Sequence, residues 1–292
     1  MKHAIIILNY NNAYLCVNCV KTLRTHNIML DVMLVDNKST DDSAKVLGEY
    51  IQNDEHCFLC VTNKNGGYSY GNNFGIKKLI ENGESYDYFT ILNPDVEIHD
   101  GEYFKKIEAG LKNEKIAVLT GKQVLNGKNY NEFTSYWNLP NVKAAILENS
   151  FLNYFYKRSQ DTLEIHDGIG ITQVVSGCCF TVRAKVLEKV NFFDEGVFLY
   201  YEENILGEKL QRQGLVEGIC LNTSFYHNHR KSKEITIKNE INNKKITIKS
   251  KNYFIKNYLT KNNLALITLI LFDAIDFVLS TVIIILKRFL KR

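Results

Sequence analysis

Apolar positions along the first 120 residues alternate between two rhythms. Residues 4–8 (Ala-Ile-Ile-Ile-Leu) form a short run with no polar member, the pattern of a strand buried on both faces. Leu15, Cys16, Cys19, Val20 and Leu23 then fall at helical spacing. The cycle repeats. Strands are predicted at 31–35, 57–61, 86–92 and 116–120. A helix bearing Val46, Leu47, Tyr50 and Ile51 follows the N-capping residues of 39–42, and another spans 71–81. Strands alternating with helices predict an α/β class with a parallel sheet, whose ligands bind beyond the carboxyl ends of the strands. Polar clusters sit at four such ends: 9–12, 36–42, 63–73 and 93–95.

Beyond residue 125 the rhythm changes. Residues 126–170 are rich in aromatics (Tyr130, Phe133, Tyr136, Trp137, Phe151, Tyr154, Phe155, Tyr156) without a clean period. They read either as an excursion covering the site or receiving a second substrate, or as a packed insertion with no ligand role. Regular structure returns with a strand at 174–182, helices near 184–190 and 202–213, and a strand-like 215–225. Two Ile-Thr-Ile-Lys stretches (235–238, 246–249) flank Asn242-Asn243 and suggest a small hairpin. Residues 264–286 are mostly apolar and long enough to span a bilayer, but Asp273 and Asp276 share one helix face in mid-segment. An amphipathic helix lying in the membrane surface is the preferred reading, with a spanning or partner-packed helix as the alternatives.

Charge sharpens this division. The net charge is +4, yet residues 230–292 hold 14 Lys/Arg against 4 Asp/Glu, leaving 22 basic and 28 acidic residues elsewhere. A mildly acidic body thus carries a basic tail suited to phosphates. The adjoining apolar segment favours a membrane surface over nucleic acid as the tail's partner. Cys16-x-x-Cys19 and Cys57-x-x-Cys60 lie in a helical and a strand pattern without knuckle turns, so the seven cysteines read as packing residues in a reducing compartment. The chain opens without the pattern of a signal peptide.

Asn93-Pro94-Asp95 follows the fourth apolar strand, where a carboxylate is well placed for a divalent cation bridging a diphosphate. Taken alone it is also a common turn. The ordered set of motifs is more telling: Ile-Leu-Asn-Tyr-Asn (7–11), Val-Asp-Asn-Lys-Ser-Thr-Asp (35–41), Asn-Gly-Gly-Tyr-Ser-Tyr-Gly-Asn-Asn-Phe-Gly (65–75) and Leu-Asn-Pro-Asp-Val (92–96). Ser-Gly-Cys-Cys-Phe (176–180), Phe-Phe-Asp-Glu (192–195) and Phe-Leu-Tyr-Tyr-Glu-Glu (198–203) complete it. Across residues 3–230 this series resembles the family-2 glycosyltransferases of the GT-A fold, particularly rhamnosyl- and galactosyltransferase-like members of bacterial polysaccharide synthesis.

The resemblance implies a Rossmann-like, mixed but mainly parallel sheet flanked by helices. Its catalytic domain would cover 1–229, with a nucleotide-sugar half at 1–125 and an acceptor half at 126–229. A basic linker and membrane-associating helix would follow at 230–292. It implies that Asn9 and Asp36 line the base and ribose pocket; Asp36 also reads as an Asx-turn into the helix cap at 39–42. Asn65, Gly66, Gly67 and Asn72 would form the donor loop. Asn93 and Asp95 stand for an Asp-x-Asp signature, with Asp95 and a late histidine, His227, as ligands of Mg²⁺ or Mn²⁺. His229 is the alternative. Glu203 matches the general base of a single inverting displacement, with Glu202 in reserve. The two glutamates could otherwise be dipole partners opening a helix.

The implied donor is a UDP- or dTDP-sugar. The implied acceptor is a saccharide, lipid-linked given the tail, at the cytoplasmic face of the cell membrane. Where the family often places another acid, Asn204 follows, and Asn93 removes a charge. A scaffold that binds nucleotide-sugar or partner enzymes without turnover is therefore the second reading. A dinucleotide oxidoreductase lacks its Gly-x-Gly-x-x-Gly after the first strand, and a P-loop lacks its Gly-Lys-Ser/Thr.

Overall fold

A computed structural model of the protein describes residues 1–125, 135–154, 163–228 and 236–290. Of the aromatic excursion, Tyr130, Phe133, Phe155 and Tyr156 lie outside the described residues, as does His229.

The predicted alternation is present. Strands β1 (His3–Asn9), β2 (Asp31–Asp36), β3 (Cys57–Val61) and β4 (Tyr88–Leu92) alternate with helices α1 (Ala13–Thr25), α2 (Ser43–Ile51) and α3 (Tyr68–Glu81). Next come β5 (Val96–Glu97), α4 (Tyr103–Gly110), β6 (Ile116–Leu125), β7 (Tyr136–Trp137) and α5 (Val142–Leu147). The series continues with β8 (Glu164–His166), β9 (Ile169–Thr172), β10 (Val174–Val175), β11 (Cys179–Arg183), α6 (Ala184–Lys189), α7 (Glu202–Gln211) and β12 (Val216–His227). The main sheet runs β3-β2-β1-β4-β11-β6-β12-β9-β8, with β5 paired to β12. The first four strands are mutually parallel, whereas β11 is antiparallel to both β4 and β6.

The continuous apolar strands are explained by burial on both faces. Ile5 and Ile7 of β1 pack with Cys16, Val20 and Leu23 of α1 and with α4. Ala4 and Ile6 point the other way, toward Ile76 and Leu79 of α3 and toward α6 and α7. Cys16, Cys19 and Cys57 are buried free thiols, as packing cysteines should be. In α3, Gly71 and Gly75 let the helix approach the sheet, because added Cβ atoms would lie 2.3 Å from Leu8 and 2.5 Å from Val35 side-chain atoms.

Two expectations are corrected. The strand predicted at 174–182 is two strands, β10 and β11, broken at Ser176-Gly177-Cys178. The hairpin predicted around Asn242-Asn243 is instead α8 (Ile237–Phe254), an 18-residue helix whose N-cap Thr236 accepts from the Asn239 N–H at 3.2 Å. Period-two patterning lost because Phe254 and Ile255 pack against the body, and because α8 pairs lengthwise with α9 (Asn263–Leu290). A π-turn, Ile255–Leu259, joins this pair.

Candidate functional site

The carboxyl ends of β1 and β2 meet in a closed hydrogen-bond network. Asn9 Nδ2 donates to Asp36 Oδ1 (2.8 Å) and to Ser39 Oγ (3.1 Å). The Ser39 N–H donates to Asp36 Oδ2 (3.1 Å). Asn9 and Asp36 are each 1% exposed, so this corner is preformed rather than open. Asn37 extends it: its Nδ2 donates to Asn65 Oδ1 and to the Gly67 carbonyl, both at 3.1 Å. Nothing in the sequence pattern separated Asn37 from an ordinary loop asparagine.

The glycine loop is held from the opposite side. Gly67 adopts φ = +89°, and a Cβ there would lie 2.0 Å from the Phe198 carbonyl oxygen, so only glycine fits. The Tyr68 N–H donates to that same carbonyl at 2.9 Å. A Cβ on Gly66 would meet the Tyr70 ring at 2.3 Å. Asn72 is fully buried and donates to the Tyr68 carbonyl at 3.0 Å, shaping the first turn of α3. Gly67 thus serves close contact with Phe198, and Gly66 makes room for the Tyr70 ring.

Asp95 and His227 come together. His227 Nε2 lies 3.3 Å from Asp95 Oδ1, and Gln123 Nε2 lies 3.0 Å from His227 Nδ1. Burial opposes the charged imidazole, but the Asp95 carboxylate and Cys178 beside it outweigh that and raise the pKa to about 10. Two oxygen or nitrogen ligands, each about 2.1 Å from one Mg²⁺-like ion at right angles, stand about 3 Å apart. The Asp95–His227 spacing fits such a pair once the ion replaces the imidazolium proton, because only the neutral ring can ligate. Among the described residues no cluster of three or more metal-ligating side chains occurs, so the rest of a metal's shell would come from substrate and water. Asn93 flanks the pair, its N–H donating to the Cys178 carbonyl at 2.8 Å.

The break between β10 and β11 then links this corner to the glutamates. Tyr68 Oη donates to the Gly177 carbonyl at 2.5 Å, and the Gly177 N–H donates to Glu203 Oε1 at 3.3 Å. A Cβ on Gly177 would lie 2.6 Å from that oxygen. Contacts therefore run unbroken from Asp95 through His227, Cys178 and Gly177 to Glu203. Glu202 and Glu203 open α7, and the two residues before them, Tyr200 and Tyr201, both have positive φ (71° and 69°). Adjacent left-handed residues are unfavourable, and the chain repeats them at Asn191 and Phe192, so at Tyr200 and Tyr201 it is the position beside the glutamates that ties the strain to the site.

Burial raises the pKa of Glu203, and raises that of Glu202 well above the ordinary carboxylate range, with Glu203's charge adding to the effect. Glu217 of β12, 2% exposed, joins them around a small cavity with Tyr68 and Phe180. Its Oε2 accepts the Val175 N–H at 2.7 Å, and burial pushes its pKa well up. Among the described residues, Glu202 Oε2 and Glu217 Oε1 have no hydrogen-bond partner. Glu217 was readable as one acid inside the apolar stretch Leu-Val-Glu-Gly-Ile-Cys (215–220). On the outer side of the glutamates lies an open cleft of about 440 Å³, lined by Trp137, Asn149, Tyr200, Tyr201, Asn204 and Thr247, among others. Trp137 Nε1 donates to Asn204 Oδ1 at 2.7 Å, which sets the indole at its edge.

A model of glycosyl transferase family 2 matches residues 4–190, well over half of the chain. The protein belongs to glycosyl transferase family 2. A curated relative, the low-salt glycan biosynthesis hexosyltransferase Agl10 of Haloferax volcanii, is 24% identical over 228 residues, covering 77% of this chain and 66% of its own length. Among solved structures, the mannosyltransferase PcManGT of Pyrobaculum calidifontis, in complex with GDP-Man and Mn²⁺, superposes with a TM-score of 0.60 at 12% identity. That match covers 88% of this chain and 64% of the other. S. aureus TarS 1–349 with UDP-GlcNAc gives 0.55 at 16% identity, covering 88% and 67%. This family member therefore has the GT-A architecture, and it spans 66% of the length of Agl10 and 64% of that of PcManGT.

Proposed function

We propose that this glycosyltransferase moves a hexosyl or deoxyhexosyl unit from a UDP- or dTDP-sugar to a lipid-linked saccharide, with inversion, at the cytoplasmic face of a membrane. The observation that carries this reading is the contact path from Asp95 to Glu203. Two carboxylates of different environment flank one loop, which would put donor on one side and acceptor on the other.

In this reading Asn9, Asp36, Asn65, Gly66, Gly67, Asn72 and Asn93 form or support the donor pocket, Asp36 bracing its base corner through Asn9 and Ser39. Asp95 and His227 hold Mg²⁺ or Mn²⁺. When bound, the cation neutralises charge on the departing diphosphate. Two of the structural neighbours were solved with Mn²⁺, which supports the choice of a hard divalent ion. Glu203 takes the proton of the acceptor hydroxyl as that oxygen attacks the anomeric carbon, and Glu202 stands behind it. Burial makes Glu203 a stronger base than a solvated carboxylate, and the Gly177 N–H fixes its direction. The cleft beside Trp137 and Tyr200 offers aromatic faces and amides for a saccharide acceptor.

Screening the purified chain with Mn²⁺ against UDP-galactose, UDP-glucose, UDP-GlcNAc, dTDP-rhamnose and GDP-mannose tests the donor class. Release of UDP or dTDP is expected. Release of GDP alone would replace the pyrimidine assignment, and release from none would favour a binding scaffold.

A further inference from the structure

The C-terminal helix pair buries charge and bares apolar surface at the same time. α9 turns back along α8, and three ion pairs join them. Lys251 pairs with Asp273, Lys244 Nζ lies 2.8 Å from Asp276 Oδ2, and Arg288 lies 3.0 Å from Glu240. Asp276 is fully buried and also accepts the Phe151 N–H at 2.7 Å, so the same contacts fasten α9 to the catalytic body. Leu269 and Leu266 pack there with Ala145 and Ile146 of α5. The aspartates that interrupt the apolar segment are therefore its inward, docked side.

The outward side is bare. Leu264, Ile270, Leu271, Ile275 and Val278 are each more than half exposed along one stripe. A monomeric protein in water rarely shows so long an apolar strip. Exposed Lys261 precedes the stripe and exposed Lys287 follows it, while Lys245 and Lys249 are exposed on α8. Glu240 is the acid of α8, and Arg288 already answers it. Apolar stripe and cationic surroundings together match an anionic lipid surface, with acyl chains for the leucines and headgroups for the lysines.

We propose that α8 and α9 lie together in the plane of an anionic bilayer surface, the bare stripe of α9 inserted at the headgroup boundary, and that α9 does not cross the membrane. By length and hydropathy (Asn263–Arg288, 26 residues, mean 2.5) α9 could cross. Crossing would either drag lysine-rich α8 into hydrocarbon or strip Asp273 and Asp276 of their lysines there. In-plane docking keeps every pair intact. It also places the cleft beside Glu202 and Glu203 at the lipid surface, because Thr247 of α8 and Asn149, whose carbonyl Lys244 grips, belong to its wall. This last consequence rests on the reading of the chain as acting on a lipid-linked acceptor; the dock itself does not.

The full chain is tested with phosphatidylcholine vesicles containing phosphatidylglycerol. Sedimentation is expected to show binding that weakens with salt. The Ile270→Asn/Ile275→Asn variant, altered only on the exposed face, should bind at least tenfold more weakly. Tryptophans placed by Ile267→Trp, Ile275→Trp and Leu286→Trp, with the Trp137 signal subtracted, report depth through quenching by shallow and deep spin-labelled lipids. Equal, shallow quenching at all three sites is expected. Quenching that is deepest at 275 and shallow at both ends would mean a spanning helix and overturn the proposal. So would a chain that ignores vesicles, or one that dimerises through the stripe and becomes monomeric in the Asn variant. Nucleotide release is followed in the same samples: vesicle binding without release counts against the transferase reading, and release without vesicle binding counts against the dock.

Discussion

The network after β1 and β2 and the glutamate cluster at the start of α7 are built differently. On the proposed donor side, Asn9, Asp36, Asn37, Ser39 and Asn65 satisfy one another, and the left-handed positions are Gly67 and the isolated polar residues Asn11 and Lys38. On the proposed acceptor side, three glutamates are crowded into low-dielectric surroundings, two carboxylate oxygens lack partners among the described residues, and two tyrosines sit in the left-handed region. The first arrangement suits a pocket that must be ready before its ligand arrives. The second stores unfavourable energy next to the group that would act as base, as expected where reactivity competes with stability.

Substitutions that treat the two regions differently sharpen the contrast. The largest effect is expected at Glu203→Gln, which keeps shape and removes basicity: kcat should fall by about 10²–10⁴-fold with the fold retained by circular dichroism. Because burial raises the Glu203 pKa, the wild-type rate should drop as pH falls through a value above the ordinary carboxylate range near 4.5. The residual rate of Glu203→Gln should lack that limb; an unchanged acid limb would assign it elsewhere. Next is Gly67→Ala, which forces a Cβ onto the Phe198 carbonyl and an alanine to φ = +89°. It should cost about 2 kcal/mol or more in denaturant unfolding, and a neutral result would mean the loop is not locked.

The smallest effect has the opposite sign. Glu217 has a folded-state pKa raised by burial, so its contribution is most favourable at low pH. Stability is lost as pH rises from the unfolded carboxyl value, near 4.5, toward the folded one. Glu217→Gln removes that penalty and should stabilise the protein by about 1–2 kcal/mol at neutral pH, the gain vanishing below about pH 4.5. Equal destabilisation at both pH values would show that Glu217 is a packing residue only.

How much of this could be read from the chain depends on how local the signal was. β1 to β4 announced themselves because strands buried on both faces leave unbroken apolar runs, and the polar clusters after them fall at the sheet's rim. Asp95, His227 and Glu203 were legible as residue types at motif positions, but their joining through Cys178 and Gly177 was not. Residues 174–182 read as one strand, since a glycine between apolar residues does not reveal a break. The helix α8 was misread because Ile-Thr-Ile-Lys has local strand rhythm, whereas its helicity is supported by Lys244 and Lys251 meeting aspartates 32 and 22 residues away. Those same pairs explain Asp273 and Asp276, which composition alone left suspended between a spanning and a surface helix. Asn37, Trp137 and Glu217 matter through partners distant in sequence, so nothing local singled out the first two.

The most direct test of the central claim, that one loop divides donor binding from acceptor activation, is a paired titration of Asp95→Ala and Glu203→Gln. Calorimetry with Mn²⁺ and the nucleoside diphosphate released by the active donor is read beside transfer rate. The account predicts that Asp95→Ala binds the metal–nucleotide complex at least tenfold more weakly, while Glu203→Gln binds it as the wild type does and fails to transfer. Equal loss of binding in both, or transfer persisting in both, would contradict it.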